Sequence, residues 1–145
     1  MSAFVEHSFD RGFLLDEPKL RKLHELVAAR LSKLQTPIPV RFKVYRGDSD
    51  SYETEAVQDV INEDNEDWRA ITRLDVTAIV TDVLDFELSF SGKRPSLRIV
   101  GDDRDAVFLL FSDVREYMTN EVLAGRGTDR DTWRFTGFFS PMQGS

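Results

Sequence analysis

Between Asp85 and Met118 the hydrophobic period changes from that of a strand to that of a helix. No other feature limits the fold as much, because the two periods cannot be satisfied by one element. Phe86, Leu88 and Phe90 alternate with polar residues, as a half-buried strand requires. Ser91-Gly92-Lys93-Arg94-Pro95 supplies turn chemistry, and Leu97 and Ile99 resume the alternation. Beyond Gly101-Asp102-Asp103 the apolar residues recur at helical spacing, with Val107, Leu110, Phe111, Val114 and Met118 on one face. A hairpin followed by an amphipathic helix can bury both apolar faces against each other, the rule of a layered α+β unit.

The flanking segments extend this plan. Phe4, Val5, Phe9, Phe13 and Leu14 make the first fifteen residues too apolar for a solvated tail, so they read as a short strand or packed arm. Asp16 suits a helix N-cap with Glu17 and Pro18 in the first turn, and the helix is expected to run to about Leu34. Leu20, Leu23, Val27, Leu31 and Leu34 form its stripe, and Thr36-Pro37-Ile38-Pro39 ends it. Val40, Phe42 and Val44 read as a strand, Gly47 to Ser51 as a turn, and Thr54 to Asn62 as a short helix. Leu74, Val76, Ala78 and Val80 make the strand before the hairpin. The expected fold is α+β, a mostly antiparallel sheet of four or five strands with helices packed mainly on one face. Residues 1–124 form one globular domain in this reading, and 125–145 a linker with an aromatic tail.

Charge and composition narrow the function. Twenty-six acids against 19 bases give a net charge of −7, which works against phosphate backbones and anionic lipid surfaces. With no cysteine, disulfides, thiol nucleophiles, iron–sulfur clusters and thiolate zinc sites are all ruled out. No apolar run reaches the length of a membrane span, and no signal segment is visible, so a cytoplasmic location is expected. The exception would be a chain that is the soluble part of a longer protein.

The acids are the first candidates for chemistry. Asp48 to Asp67 is a run of carboxylates without an intervening base, and oxygen ligands suit Ca²⁺ or Mg²⁺. Tested as a calcium loop from Asp48, Asp50 fits, but Tyr52 and Glu53 replace a ligand and the required glycine, and Asp59 stands where a bidentate Glu belongs. Asp102, Asp103 and Asp105 stand where strand gives way to helix, a position that can hold Mg²⁺ but is far more commonly that of helix caps. His7 has Asp10 nearby, and His24 lies at the edge of the first helix's stripe, yet neither has a nucleophile or third ligand at a recognisable spacing. No nucleophile elbow, paired-histidine metal motif or glycine-rich phosphate loop is present.

Two features point to protein contacts. Leu109 projects away from the stripe of the last long helix, among Asp105, Ser112 and Glu116. Trp133, Phe135, Phe138 and Phe139 follow the glycine-containing linker; aromatics are favoured interface anchors, and folding back on the N-terminal arm of the same domain accounts for them at least as well. Lys19, Arg21, Lys22, Arg30 and Lys33 make the first helix basic, without the aromatics that stack single-stranded bases. The expectation is a non-catalytic cytosolic protein-interaction or regulatory module, binding a protein partner or a second copy and needing no cofactor. The alternative is an enzyme using Mg²⁺ or Ca²⁺ on Asp102, Asp103 and Asp105, or on Asp48 and Asp50.

Overall fold

The computed structural model describes residues 2–34, 38–47, 50–61, 71–80, 82–91, 94–123 and the backbone of 133–135. The strands are β1 (Ala3–Ser8), β2 (Phe13–Leu15), β3 (Arg41–Arg46), β4 (Ser51–Thr54), β5 (Ile71–Val80), β6 (Leu84–Ser91), β7 (Arg94–Gly101) and β8 (Trp133–Phe135). The helices are α1 (Glu17–Leu31), α2 (Val57–Ile61) and α3 (Arg104–Tyr117), the last continued by a π-helical turn, Met118–Val122. Six strands form one antiparallel sheet in the order β1-β7-β6-β5-β3-β4, and β2 pairs with β8 in parallel.

The sheet therefore has six strands, not four or five. The addition is β4, in a segment whose local signals read as turn and helix. Its pairing supplies the reason: Tyr52 lies opposite Val44, and Arg46 N–H donates to the Asp50 carbonyl at 2.9 Å to close the hairpin. Arg41 on β3 holds Glu53 at 3.1 Å. Cross-strand partners outweigh local propensity at an edge of this kind. The short helix accordingly starts at Val57, three residues later than expected.

The central hairpin follows the periodicity. Phe86 faces Ile99 and Leu88 faces Leu97, all buried, while Asp85, Glu87 and Arg98 lie on the other side of the sheet. Leu74, Val76 and Ala78 on β5 continue the same apolar face, and Phe42 and Val44 on β3 complete it. Asp82, between β5 and β6, takes a φ of 66°, a left-handed conformation that a short polar side chain tolerates.

Helices cover this face. In α1 the Asp16 carboxylate accepts from the Lys19 amide at 3.0 Å, and Leu20, Leu23, Val27 and Leu31 are buried. The helix ends at Leu31, one turn short of Leu34, where Ser32 turns its hydroxyl back to the Ala29 carbonyl at 2.8 Å. In α3 Val107, Leu110 and Val114 are buried and Met118 follows in the π-helical turn, whereas Phe111 is only half-buried. The π-helical turn closes with Leu123 N–H on the Met118 carbonyl at 2.9 Å, five residues apart.

Gly101 ends β7 where α3 comes closest. A Cβ there would lie 2.9 Å from Val107 Cγ2 and 3.0 Å from Leu84 Cδ1. Leu88→Ala should cost about 2–5 kcal/mol by opening a cavity in a fully packed layer. Phe111→Ala should cost less, and Gly101→Ala about 1–3 kcal/mol through overpacking. Urea unfolding of the three variants gives these values directly, and near-neutral behaviour of Leu88→Ala would overturn the core assignment.

Candidate functional site

A cleft opens where the last turn of α1 meets the first turns of α3. Leu31, Leu84 and Leu110 are buried beneath it, and Leu34, Ala106 and Leu109 complete its apolar wall. Arg30 and Lys33 stand on the α1 rim, and Asp103 and Asp105 on the α3 rim. Leu109 is 50% exposed. The cleft measures about 200 Å³, against about 300–1,000 Å³ for small-molecule sites. It continues into a larger depression of about 380 Å³ bordered by Val83 and Asp102.

Three polar ties hold the helices that form it. Arg30 pairs with Asp113 across the two helices. The Tyr117 hydroxyl donates to the Lys19 carbonyl at 3.2 Å. Burial, with Glu121 and Asp16 adding to it, pushes the Tyr117 phenol up to about 12. At the third, the Asp103 carboxylate caps α3 by accepting from the Ala106 amide at 3.1 Å.

The aspartates proposed from the sequence thus come to the mouth of this cleft, but separately. Asp102, Asp103 and Asp105 are all exposed, and Asp103 is engaged as the cap. Arg104, which stands among them, lies over the Phe108 ring at 5.4 Å. Among the described residues no three His, Asp or Glu side chains are grouped to hold a metal ion. Asp50 is exposed at the β3–β4 turn, and Asp48 lies outside the described residues. Of the tail aromatics, Trp133 and Phe135 have their backbone in β8 against β2, while Phe138 and Phe139 lie outside the described residues.

The histidines are packing residues. His7 meets Phe9 edge-on at 4.7 Å and Phe111 at 5.9 Å, and Asp10 pairs with Arg11 at 3.5 Å. His24 lies 5.4 Å from the Phe42 ring, and burial lowers its pKa against the opposing pull of Glu25. The basic face of α1 is largely spent on its own chain: Arg21 pairs with Glu17 at 3.4 Å and meets Gln58, and Arg30 holds Asp113. No helix among the described residues is long and apolar enough to cross a membrane.

One charged group escaped the sequence reading. Asp75, 2% exposed, lies on the helix-free face of the sheet, where Arg73 Nε donates to it at 2.9 Å and Ser89 Oγ at 2.7 Å. Arg73 also lies 5.2 Å over the Tyr45 ring, and its bond to Asp75 raises its pKa further. Arg73 and Asp75 are two apart on one strand, so they share a face, but Ser89 joins them only through the β5–β6 register. A buried carboxylate paired in this way meets the requirement that buried charge be hydrogen-bonded.

No family model, curated protein or solved structure matches the chain.

Tyr117 makes the α1–α3 contact sensitive to alkali. Its pKa in the folded state stands above the ordinary value of 10.0, so the unfolded chain loses the proton first and stability falls as the pH rises from 10 towards 12. Tyr117→Phe should show a shallower loss over that window in pH-dependent thermal unfolding, and identical profiles would refute the burial of the phenol. His24 acts at the other end. Its lowered pKa makes the unfolded chain bind the proton more tightly, so stability falls as the pH drops below 6.5, and His24→Gln should remove that share of the decline.

Proposed function

We propose that the chain is a non-catalytic, cytosolic protein-interaction or regulatory module that receives a short peptide segment of a partner between α1 and α3. The observation that carries this reading is Leu109, half-exposed beside an apolar floor. An apolar side chain of a partner would lie against Leu109 and Leu84, with Arg30 and Lys33 on one side and Asp103 and Asp105 on the other. Arg30 is tied to Asp113 and Asp103 caps α3, so Lys33 and Asp105 are the rim charges suited to an anchor flanked by an acid and a base, and they would set its direction. Trp133, Phe135, Phe138 and Phe139 are proposed to supply further partner contacts, because aromatics give large contact area at low entropic cost.

Selection from a random peptide display library tests the cleft. Enriched peptides should carry one large apolar residue between opposite charges, and Leu109→Glu should weaken them at least about tenfold, the scale of losing one buried anchor. Peptides that bind Leu109→Glu as well as the parent would sink the proposal. Mg²⁺ or Ca²⁺ should leave the thermal midpoint unchanged. A saturable rise, near 2.7 kcal/mol at about 100 times the dissociation constant and removed by Asp102→Asn or Asp50→Asn, would instead favour the metal-dependent alternative.

A further inference from the structure

The two edges of the six-stranded sheet are unlike. β4 is four residues long, carries Glu53 and is followed by Glu55, and the neighbouring β3–β5 register is irregular at Tyr45 and Arg46. Short, charged and irregular edges resist pairing with another chain. β1 is longer and regular, and Glu6 is its one acidic residue. The strand is six residues of Ala-Phe-Val-Glu-His-Ser, paired with β7 in unbroken register and free of lysine, proline or a bulge. Among the described residues no strand pairs with its other side.

The backbone geometry of that side can be read. Phe9 N–H donates to the Pro95 carbonyl at 3.1 Å, continuing the β1–β7 ladder. In an antiparallel ladder the bonded residues alternate. Ala3, Val5 and His7 therefore turn their amides and carbonyls to β7, and Phe4 and Glu6 turn theirs outward. Phe4 is also 59% exposed, on the helix-free face. On the helix face Val5 is half-buried, Phe111 reaches His7, and Phe108, one turn earlier on the same flank of α3, is 42% exposed. A strand edge unpaired among the described residues thus adjoins two partly exposed rings, Phe4 and Phe108, the second with Arg104 over it.

We propose that β1 is a homodimer interface, with two copies pairing β1 to β1 antiparallel about a two-fold axis. The occupant is a second copy because the strand complements itself. A continuous sheet keeps even-numbered residues on one face, so two central registers are available. One sets Glu6 opposite Glu6, a like-charge pair that destabilises a ladder. The other sets Val5 opposite Val5 and Phe4 opposite Glu6, and it joins the outward groups of Phe4 and Glu6 in about four backbone hydrogen bonds. That second register is the one proposed.

The helices fit the same symmetry. α3 packs on both β1 and β7, so it lies over their seam. With strands about 4.8 Å apart, two such helices would stand about 10 Å apart across the axis, the ordinary distance for helix packing. Ala3 is level with Gly101, just before α3, and His7 is level with Phe111. Val5 then falls level with Phe108, which brings the two Phe108 rings together beside the axis. This surface is separate from the α1–α3 cleft and does not depend on what binds there.

The absence of cysteine makes the register directly testable. Val5 opposite Val5 is a non-hydrogen-bonded pair with Cα atoms about 4.5 Å apart, within the range a disulfide spans. Sedimentation equilibrium of the full chain should show a monomer–dimer equilibrium. Val5→Cys should cross-link into a covalent dimer under mild oxidation, and Glu6→Cys should cross-link far less. Phe108→Glu, a surface change that leaves the core untouched, should shift the equilibrium at least tenfold towards monomer and suppress the Val5→Cys cross-link. A monomer at every concentration, a dimer indifferent to Phe108→Glu, or preferential cross-linking of Glu6→Cys would each overturn the proposal.

Discussion

The apolar face shared by β5, β6 and β7 is the constraint on which the other elements depend. Val76, Leu88 and Leu97 lie in one cross-strand row of that layer, with Ala78, Phe86 and Ile99 in the next. A slip of one residue in any strand would send its whole apolar set to the helix-free side and bring Glu87 or Asp75 under the helices. The cost of burying an unpaired carboxylate there makes the alternative registers uncompetitive. α1 and α3 then have one surface on which their stripes can be buried, and Gly101 lets α3 descend onto it at once after β7.

The reverse face is held by polar pairing. Asp75 at its centre is tied to Arg73 and Ser89, and Arg98 reaches Asp85 at 3.3 Å. The Ser89–Asp75 and Arg98–Asp85 contacts add register information to that of the core, because each joins two neighbouring strands at defined positions. They also explain how so acidic a chain forms a close sheet: the arginines of β5 and β7 lie among its carboxylates. The surface left for other molecules is accordingly not the middle of the sheet. Among the described residues, exposed apolar side chains include Leu109 at the seam between α1 and α3 and Phe4 and Phe108 beside β1.

Exposed aliphatic and aromatic groups occur singly on most proteins and mean little alone. Leu109 and Phe108 gain meaning from their neighbours. Leu109 borders a depression with a buried apolar floor and rims of opposite charge. Phe108 lies on the flank of α3 that overlooks the edge strand β1. Adjacent on one helix, the two side chains point about 100° apart, so they serve different surfaces. Two contacts can therefore be made at once, one with a partner segment and one between copies.

Local pattern determined a good deal. The β6–β7 hairpin, the α3 stripe, the Asp16 and Asp103 caps and the general α+β plan all rest on periodicity and capping, which act within a few residues. Leu109 was also legible, as an apolar residue out of phase with its helix. Other features arise only from contacts distant in the chain. β4 exists because β3 pairs with it, and the end of α1 depends on where its stripe runs out of sheet to cover. Phe111 proves half-buried because α3 overhangs the last strand, whose position in the sheet no local signal states. Ser89 meets Asp75 through strand register, and the cleft forms where two helices far apart in the chain converge. Local propensity and period are written in the chain, whereas edges, clefts and satisfied buried charges belong to the order of strands, which tertiary packing alone decides.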